Sequence, residues 1–265
     1  MNILKREWKA NSKVFLFWIL GLFILVFTGM TKFTGIAAAT GGEDINKILG
    51  QFPKVILAVL GISSVDISTL AGYYSILAFY ALICGAIYAI HLGNNAVSRE
   101  IVDKTYEFVF TKPCTKTYVL GMKVIAGWMA IAAFSVFNLL FSYAAVAALK
   151  FDGNINQLIL LYTIVLFVFS SLFYALSIFM ATIAKNPEKG ALYSNLCFLF
   201  AFIMGIVYDM LENGVLIKVI SPMKYFEAKD LIAGRFDIGF LLLSIVLIII
   251  LTYAGFRKFQ KNELI

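Results

Sequence analysis

Six long uncharged stretches divide the chain, and the segments between them are rich in Lys, Gly, Asn and acidic residues. The stretches run Val14–Met30, Gly72–Leu92, Val124–Leu149, Leu158–Ala184, Ala191–Tyr208 and Phe240–Phe256. A helix rises about 1.5 Å per residue, so roughly 20 apolar residues cross the hydrocarbon of a bilayer. The first and last stretches are the shortest and need flanking residues to complete a span. None alternates apolar with polar positions, as a strand of a transmembrane barrel must. The pattern therefore predicts an all-α membrane protein with six transmembrane helices in a single transmembrane domain, residues 1–265.

Composition agrees. Of 265 residues 62% are hydrophobic and only 14% charged, with a mean hydropathy of +0.91, too little polar surface to cover a soluble core. No polar connection reaches the size of a separate domain. The segment before the first stretch, residues 1–13, sets Ile3, Leu4 and Trp8 against Lys5, Arg6 and Lys9, which suits a short interfacial helix on the membrane surface. Its polarity argues against a cleaved signal peptide and for an uncleaved first span. Ile45–Ile62, interrupted by Pro53, reads as short interfacial helices. Gly214–Ile220 and Tyr225–Ile232, around Pro222, read as re-entrant or interfacial. Cys84 and Cys197 fall in apolar stretches and Cys114 in a loop, so no disulfide framework follows.

The net charge of +7 does not point to nucleic acid, because the Lys and Arg residues are scattered through short loops. Such residues favour the cytoplasmic side of a membrane. With the N-terminus inside, the cytoplasmic segments hold 14 of the 22 basic residues, giving an N-in, C-in topology. The loop Asp209–Gly239 runs against this bias with Lys218, Lys224, Lys229 and Arg235, but long loops obey the rule poorly.

The most informative connection follows the second stretch: GNNAVSREIVDKTYEFVFTKPCTKTYVLG, Gly93–Gly121. Ser98 is placed to cap a helix over about 98–110, with Glu100 in its first turn. Val102, Tyr106 and Val109 or Phe110 then share one face, with Arg99, Asp103, Lys104 and Glu107 largely elsewhere. Pro113 ends it. A cytoplasmic amphipathic helix of this kind either lies on lipid or docks into a soluble partner, and its mixed charges and aromatics suit a protein groove.

These residues resemble the permease subunits of ATP-binding-cassette (ABC) exporters of the second, ABC-2-like type. The likeness rests on Arg99, Glu100, Thr105, Glu107, Phe108–Phe110, Pro113, Gly121 and Lys123, with support from STLAGYY before the second span and SPMKYFEAKDLIAG before the sixth. It implies that Arg99, Glu100, Val102, Asp103, Lys104, Tyr106, Glu107, Val109 and Phe110 belong to a coupling helix docked on a separate ATPase. It also implies two soluble ATPase chains carrying ATP and Mg, a second copy of the permease or a sister permease, and a place in the cell membrane. The expected activity is export of an amphipathic, peptidic or drug-like substrate. No cofactor is expected in this chain.

The chain lacks a G-x-x-x-x-G-K-[ST] phosphate loop, since Gly41-Gly42 is followed by Glu43, so ATP hydrolysis is not expected of it. His91 is the sole histidine and reads as interfacial or structural. No carboxylate pair lies within an apolar stretch, which removes the usual basis for proton coupling. Asp209 reads as the solvated end of a span. Asn138, Ser170, Tyr174 and Asn195 are candidates for a substrate path, or for packing between helices. Rival readings are an ATPase-independent channel or carrier, and a membrane assembly or immunity protein. The topology has a direct test: a cysteine placed at Gly153 should react with an impermeant reagent added outside, and one at Asn186 should not. The reverse pattern would overturn the orientation.

Overall fold

Hydrocarbon offers no hydrogen bonds, so each spanning segment must satisfy its own backbone, and a long apolar run does so as a helix. The computed structural model describes residues 3–40, 47–63, 65–102, 115–150, 154–184, 186–211 and 214–261. Its helices are α1 (Ile3–Thr40), α2 (Lys54–Val59), α3 (Leu70–Val102), α4 (Lys116–Leu149), α5 (Asn156–Ile183), α6 (Pro187–Met210), α7 (Val215–Ile220), α8 (Ala228–Ile232) and α9 (Ile238–Lys261), with a 3-10 turn at Pro222–Lys224. Six of them, α1, α3, α4, α5, α6 and α9, are long and apolar enough to cross a membrane. The described residues contain no strand, as expected.

The spans exceed the uncharged stretches, and three boundaries differ in an instructive way. The basic N-terminal segment is helical from Ile3 but is not a separate element, because α1 continues unbroken to Thr40. α3 does not stop at Leu92. Gly93, read from sequence as the start of a loop, instead lets α3 approach α5: a Cβ there would meet the Tyr174 carbonyl at 2.8 Å and Ser177 Cβ at 2.7 Å. Ser98 is correspondingly not a helix cap. It lies within the last turns of α3, and its Oγ donates to the Asn94 carbonyl at 2.7 Å, a bond serine makes in helix interiors. α4 starts at Lys116, where Thr115 caps it by accepting from the Tyr118 amide at 3.3 Å.

α5 is the axis of the bundle. Its apolar window is 72% buried, against 17% for α1, 22% for α6 and 11% for α9, so the latter three supply most of the exposed apolar surface of the chain. α3, α4, α6 and α9 all pack on α5, and small residues set their distances, as is usual where no hydrophobic force drives helices together. Gly85 of α3 sits against Ser170 and Leu166, Gly190 of α6 against Ala181, and Gly255 of α9 against Ile178. Hydroxyls bridge the same seams. Ser177 Oγ donates to the Ile90 carbonyl at 2.8 Å, Tyr174 OH to the Val124 carbonyl at 3.2 Å, and Tyr74 OH pairs with Ser142 Oγ at 3.0 Å.

At the far end of α6 the chain turns back along the helix it has just left. Ser221, fully buried, donates to the Ala201 carbonyl at 2.9 Å. Ala201 lies nine residues before Met210, about 13 Å along the axis, so the α7 segment is re-entrant. Asp209 is therefore not a solvated end. It accepts from Lys224 Nζ at 2.6 Å and from Ser63 Oγ at 2.7 Å. Glu227 accepts from Lys218 Nζ and Tyr208 OH at 2.8 and 2.9 Å and pairs with Lys229 at 2.8 Å. Burial alone would raise the Glu227 pKa, but these donors outweigh it and hold the carboxyl down at about 2.

The tightest of the glycine contacts on α5 is at Gly127 of α4. A Cβ there would run into the Tyr174 hydroxyl and Cζ, and Tyr174 is wholly buried. Gly127→Ala should cost about 1–3 kcal/mol, read as a lower thermal transition in detergent, while Gly21→Ala, which meets nothing within 4 Å, should be neutral or slightly stabilising.

Candidate functional site

The end of the bundle where α1 begins gathers the residues nearest the informative loop. α3 brings Arg99 there one turn before its last residue, and α1 meets it with one turn of its own. Arg99 Nη1 donates to Asn11 Oδ1 at 3.1 Å, and Nη2 donates to the Ala10 carbonyl at 3.2 Å. Glu7 completes the joint. It is 4% exposed, accepts from Arg6 at 2.9 Å and lies 3.9 Å from Arg99. A carboxylate this deep needs opposite charge and hydrogen bonds to be tolerated at all, and the two arginines supply them from two helices.

α4 adds a second buried charge beside it. Lys123, also 4% exposed, donates from Nζ to the Ala96 carbonyl of α3 at 3.3 Å. The Lys123 and Val124 carbonyls receive Tyr174 OH from α5. α9 is tied to the same end through Gln260 Nε2, which donates to Thr117 Oγ1 at 3.1 Å. α6 starts there too, with Gly190 packed beside Asn94. All six spans therefore have an end at this face, and α1, α3 and α4 are joined there by polar contacts around Arg99 and Lys123.

Of the coupling residues read from sequence, Arg99 is the one whose side chain the structure describes. Glu100 and Val102 belong to the helical end of α3, with side chains outside the described residues. Asp103, Lys104, Tyr106, Glu107, Val109 and Phe110 lie outside them altogether. Glu7 and Asn11 escaped the sequence reading. A single acid inside a run of four basic residues was the available signal, since an exposed Glu there would only dilute a basic surface.

Of the candidate path residues, Ser170 and Tyr174 lie one turn apart on α5, Asn138 on α4 and Asn195 on α6. Asn138, Ser170 and Tyr174 are buried at separate helix contacts, and Asn195 is exposed on α6, its Nδ2 bonded to the Ala191 carbonyl at 2.9 Å. His91 is held by Asn95 at 2.9 Å, a structural contact. Space occurs elsewhere: a cleft of about 420 Å³ between α5, α6, α9 and the re-entrant segment, lined among others by Leu172, Cys197, Phe200, Ile220, Tyr225 and Leu251. Its walls are almost entirely apolar, which suits a hydrophobic occupant and not a hydrated ion.

Together these features define a polytopic helical membrane protein with polar joints between its segments at both ends of the bundle. A family model described as ABC-2 family transporter protein matches residues 1–264, and the chain belongs to that family. It is thus a membrane-embedded permease subunit of an ABC transporter. No curated protein matches the chain.

The joint makes a specific expectation. Glu7→Ala removes one acid from beside Arg6 and Arg99, and Arg99→Ala strips Asn11 and Ala10 of a donor. Each should destabilise the solubilised protein by about 1–3 kcal/mol. The double variant should lose less than the sum of the two, because both remove the same contact. Thermal melts of the four proteins check this, and full additivity would mean the residues act separately.

Proposed function

We propose that this permease is the membrane half of an ATP-driven exporter, energised by a separate ATPase that docks on the loop following α3. The observation that carries the reading is the Arg99 joint. The residue that opens the candidate docking segment Arg99–Phe110 is bonded to α1 and stands one helix away from the buried Lys123 of α4. A force applied to the loop would reach two further spans through polar contacts and not through lipid.

On this reading two ATPase chains, carrying ATP and Mg, close on nucleotide, and their two states contact the loop differently. That differential contact is what can shift the membrane helices. Two permease chains, identical or sister, would enclose the path, in a cell membrane with both termini inside. The apolar cleft beside α6 supports amphipathic, peptidic or drug-like cargo. Family membership supports this reading over an ATPase-independent channel and over an assembly or immunity protein.

The test is a substitution on the apolar face of the loop. Tyr106→Asp would bury an unpaired carboxylate in a partner's groove. The expected outcome is a protein that still inserts and folds, no longer co-purifies with a phosphate-loop ATPase in mild detergent, and no longer transports. Glu100→Ala and Glu107→Ala should weaken the association less, since charges at the rim of an interface contribute modestly. Unchanged association and transport in Tyr106→Asp would show that the segment rests on lipid instead.

A further inference from the structure

One face of α1 changes character along its length without turning. Lys5, Lys9 and Lys13 recur every four residues and are all exposed. None of the three ammonium groups has a partner among the described residues, whereas the neighbouring Arg6 is engaged by Glu7. Leu16, Phe17, Leu20 and Ile24 continue the same face, each at least half exposed. At 100° per residue these seven positions fall within an arc of about 120°. The arc is cationic at one end and apolar at the other.

Acid is excluded from that arc. Glu7, the one carboxylate of the segment, points to the opposite side of α1, buried against Arg6 and Arg99. Trp8, 40% exposed on the flank of the stripe, has the amphipathic ring favoured at the level of the headgroups. Spacing agrees with a bilayer. Lys13 stands about 6 Å along the axis from Phe17, comparable to the roughly 5–8 Å headgroup layer on each side of a ~30 Å hydrocarbon core, and the long Lys9 and Lys5 side chains extend back toward that layer.

We propose that this face of α1 is a binding site for an anionic phospholipid, with its phosphate among Lys5, Lys9 and Lys13 and an acyl chain along Leu16, Phe17, Leu20 and Ile24. The charge of the stripe selects the anionic headgroup, and the apolar half of the face selects a lipid over a free anion. Because Glu7 on the back of the same turns holds Arg99, the lipid sits directly behind the joint at the root of the loop. The inference does not rest on the ATPase reading, and its test uses the permease chain alone.

The experiment uses full-length protein with Trp18→Phe and Trp128→Phe, so that Trp8 is the fluorophore, reconstituted in nanodiscs. Bromine-labelled phosphatidylglycerol in unlabelled phosphatidylcholine should quench Trp8 more strongly than bromine-labelled phosphatidylcholine at the same fraction. The preference should drop by about fivefold for each lysine changed to glutamine, vanish in Lys5→Gln/Lys9→Gln/Lys13→Gln, and weaken with added salt. If the tryptophan changes impair folding, native mass spectrometry of lipids retained by the wild type and by the triple lysine variant gives the same comparison. Equal quenching by the two labelled lipids would overturn the proposal. So would protection of Trp8 from both, which would mean a second protein copy covers the face, or reversal by inorganic phosphate, which would mean a free-anion site.

Discussion

Within hydrocarbon a polar group has no water to fall back on, and that single constraint organises this molecule. It makes the spans helical, and it decides where serine, tyrosine and charged side chains go. Ser177, Tyr174 and Tyr73 reach carbonyls of other helices, while Ser135, Ser142, Ser194 and Ser244 return to their own helix four residues back. The buried charges obey it most strictly. Glu7 and Lys123 are nearly sealed from solvent, yet each is held by groups from its neighbours at the end where α1 begins. Removing one partner there costs more than the contact was worth, because the other is left charged in a low dielectric.

The six spans could be read directly, because a run of apolar residues long enough to cross a bilayer has few other fates. Their ends could not. Gly93 and Ser98 are loop-forming types by local preference, and both are used inside α3. Gly93 makes room for Tyr174, and Ser98 bonds back along its own helix. Lys123 looked like the flank of a span and is instead buried within α4, because the Ala96 carbonyl is there to receive it. Asp209 looked solvated and is paired with Lys224, a residue fifteen positions on. For Gly93, Lys123 and Asp209 the deciding partner lies on another element, and no local pattern announces it. The candidate site was legible to the same degree: the loop was visible as an amphipathic segment, but the Glu7 joint depends on α1 and α3 meeting.

The two ends of the bundle differ in how their charges are used. The segments at the end where α1 begins carry 14 basic and six acidic residues, and those at the other end eight and nine. The near-neutral end spends its charges on itself. Lys218, Lys224 and Lys229 each hold an acid, and the Lys224–Asp209 and Glu227–Tyr208 contacts fasten the re-entrant segment to α6. The basic excess at the opposite end is only partly used in the Arg6, Arg99 and Lys123 contacts, which leaves the α1 lysines turned outward. The strong cationic bias of that end is what favours a cytoplasmic location for it, and the re-entrant end, being internally compensated, is correspondingly indifferent to charge.

α3 is the span best placed to connect loop and core, since it ends in the candidate docking segment and packs along the central helix α5. Several buried polar groups on these two helices are left unsatisfied. Tyr88 OH and Asn94 Oδ1 on α3, and the Ser170 and Ser171 hydroxyls on α5, are buried without a hydrogen-bond partner among the described residues. Each such group costs about 1–3 kcal/mol, so this arrangement is not the one that best satisfies them. The glycines at 85 and 93 keep the two helices close, which resists separation but not a shift along the axis. By contrast, the α4 contact to α5 is locked by Gly127 against Tyr174. A displacement of α3 relative to a fixed α4–α5 pair would carry α1 with it, because Arg99, in the last turn of α3, is bonded to Asn11 and Ala10.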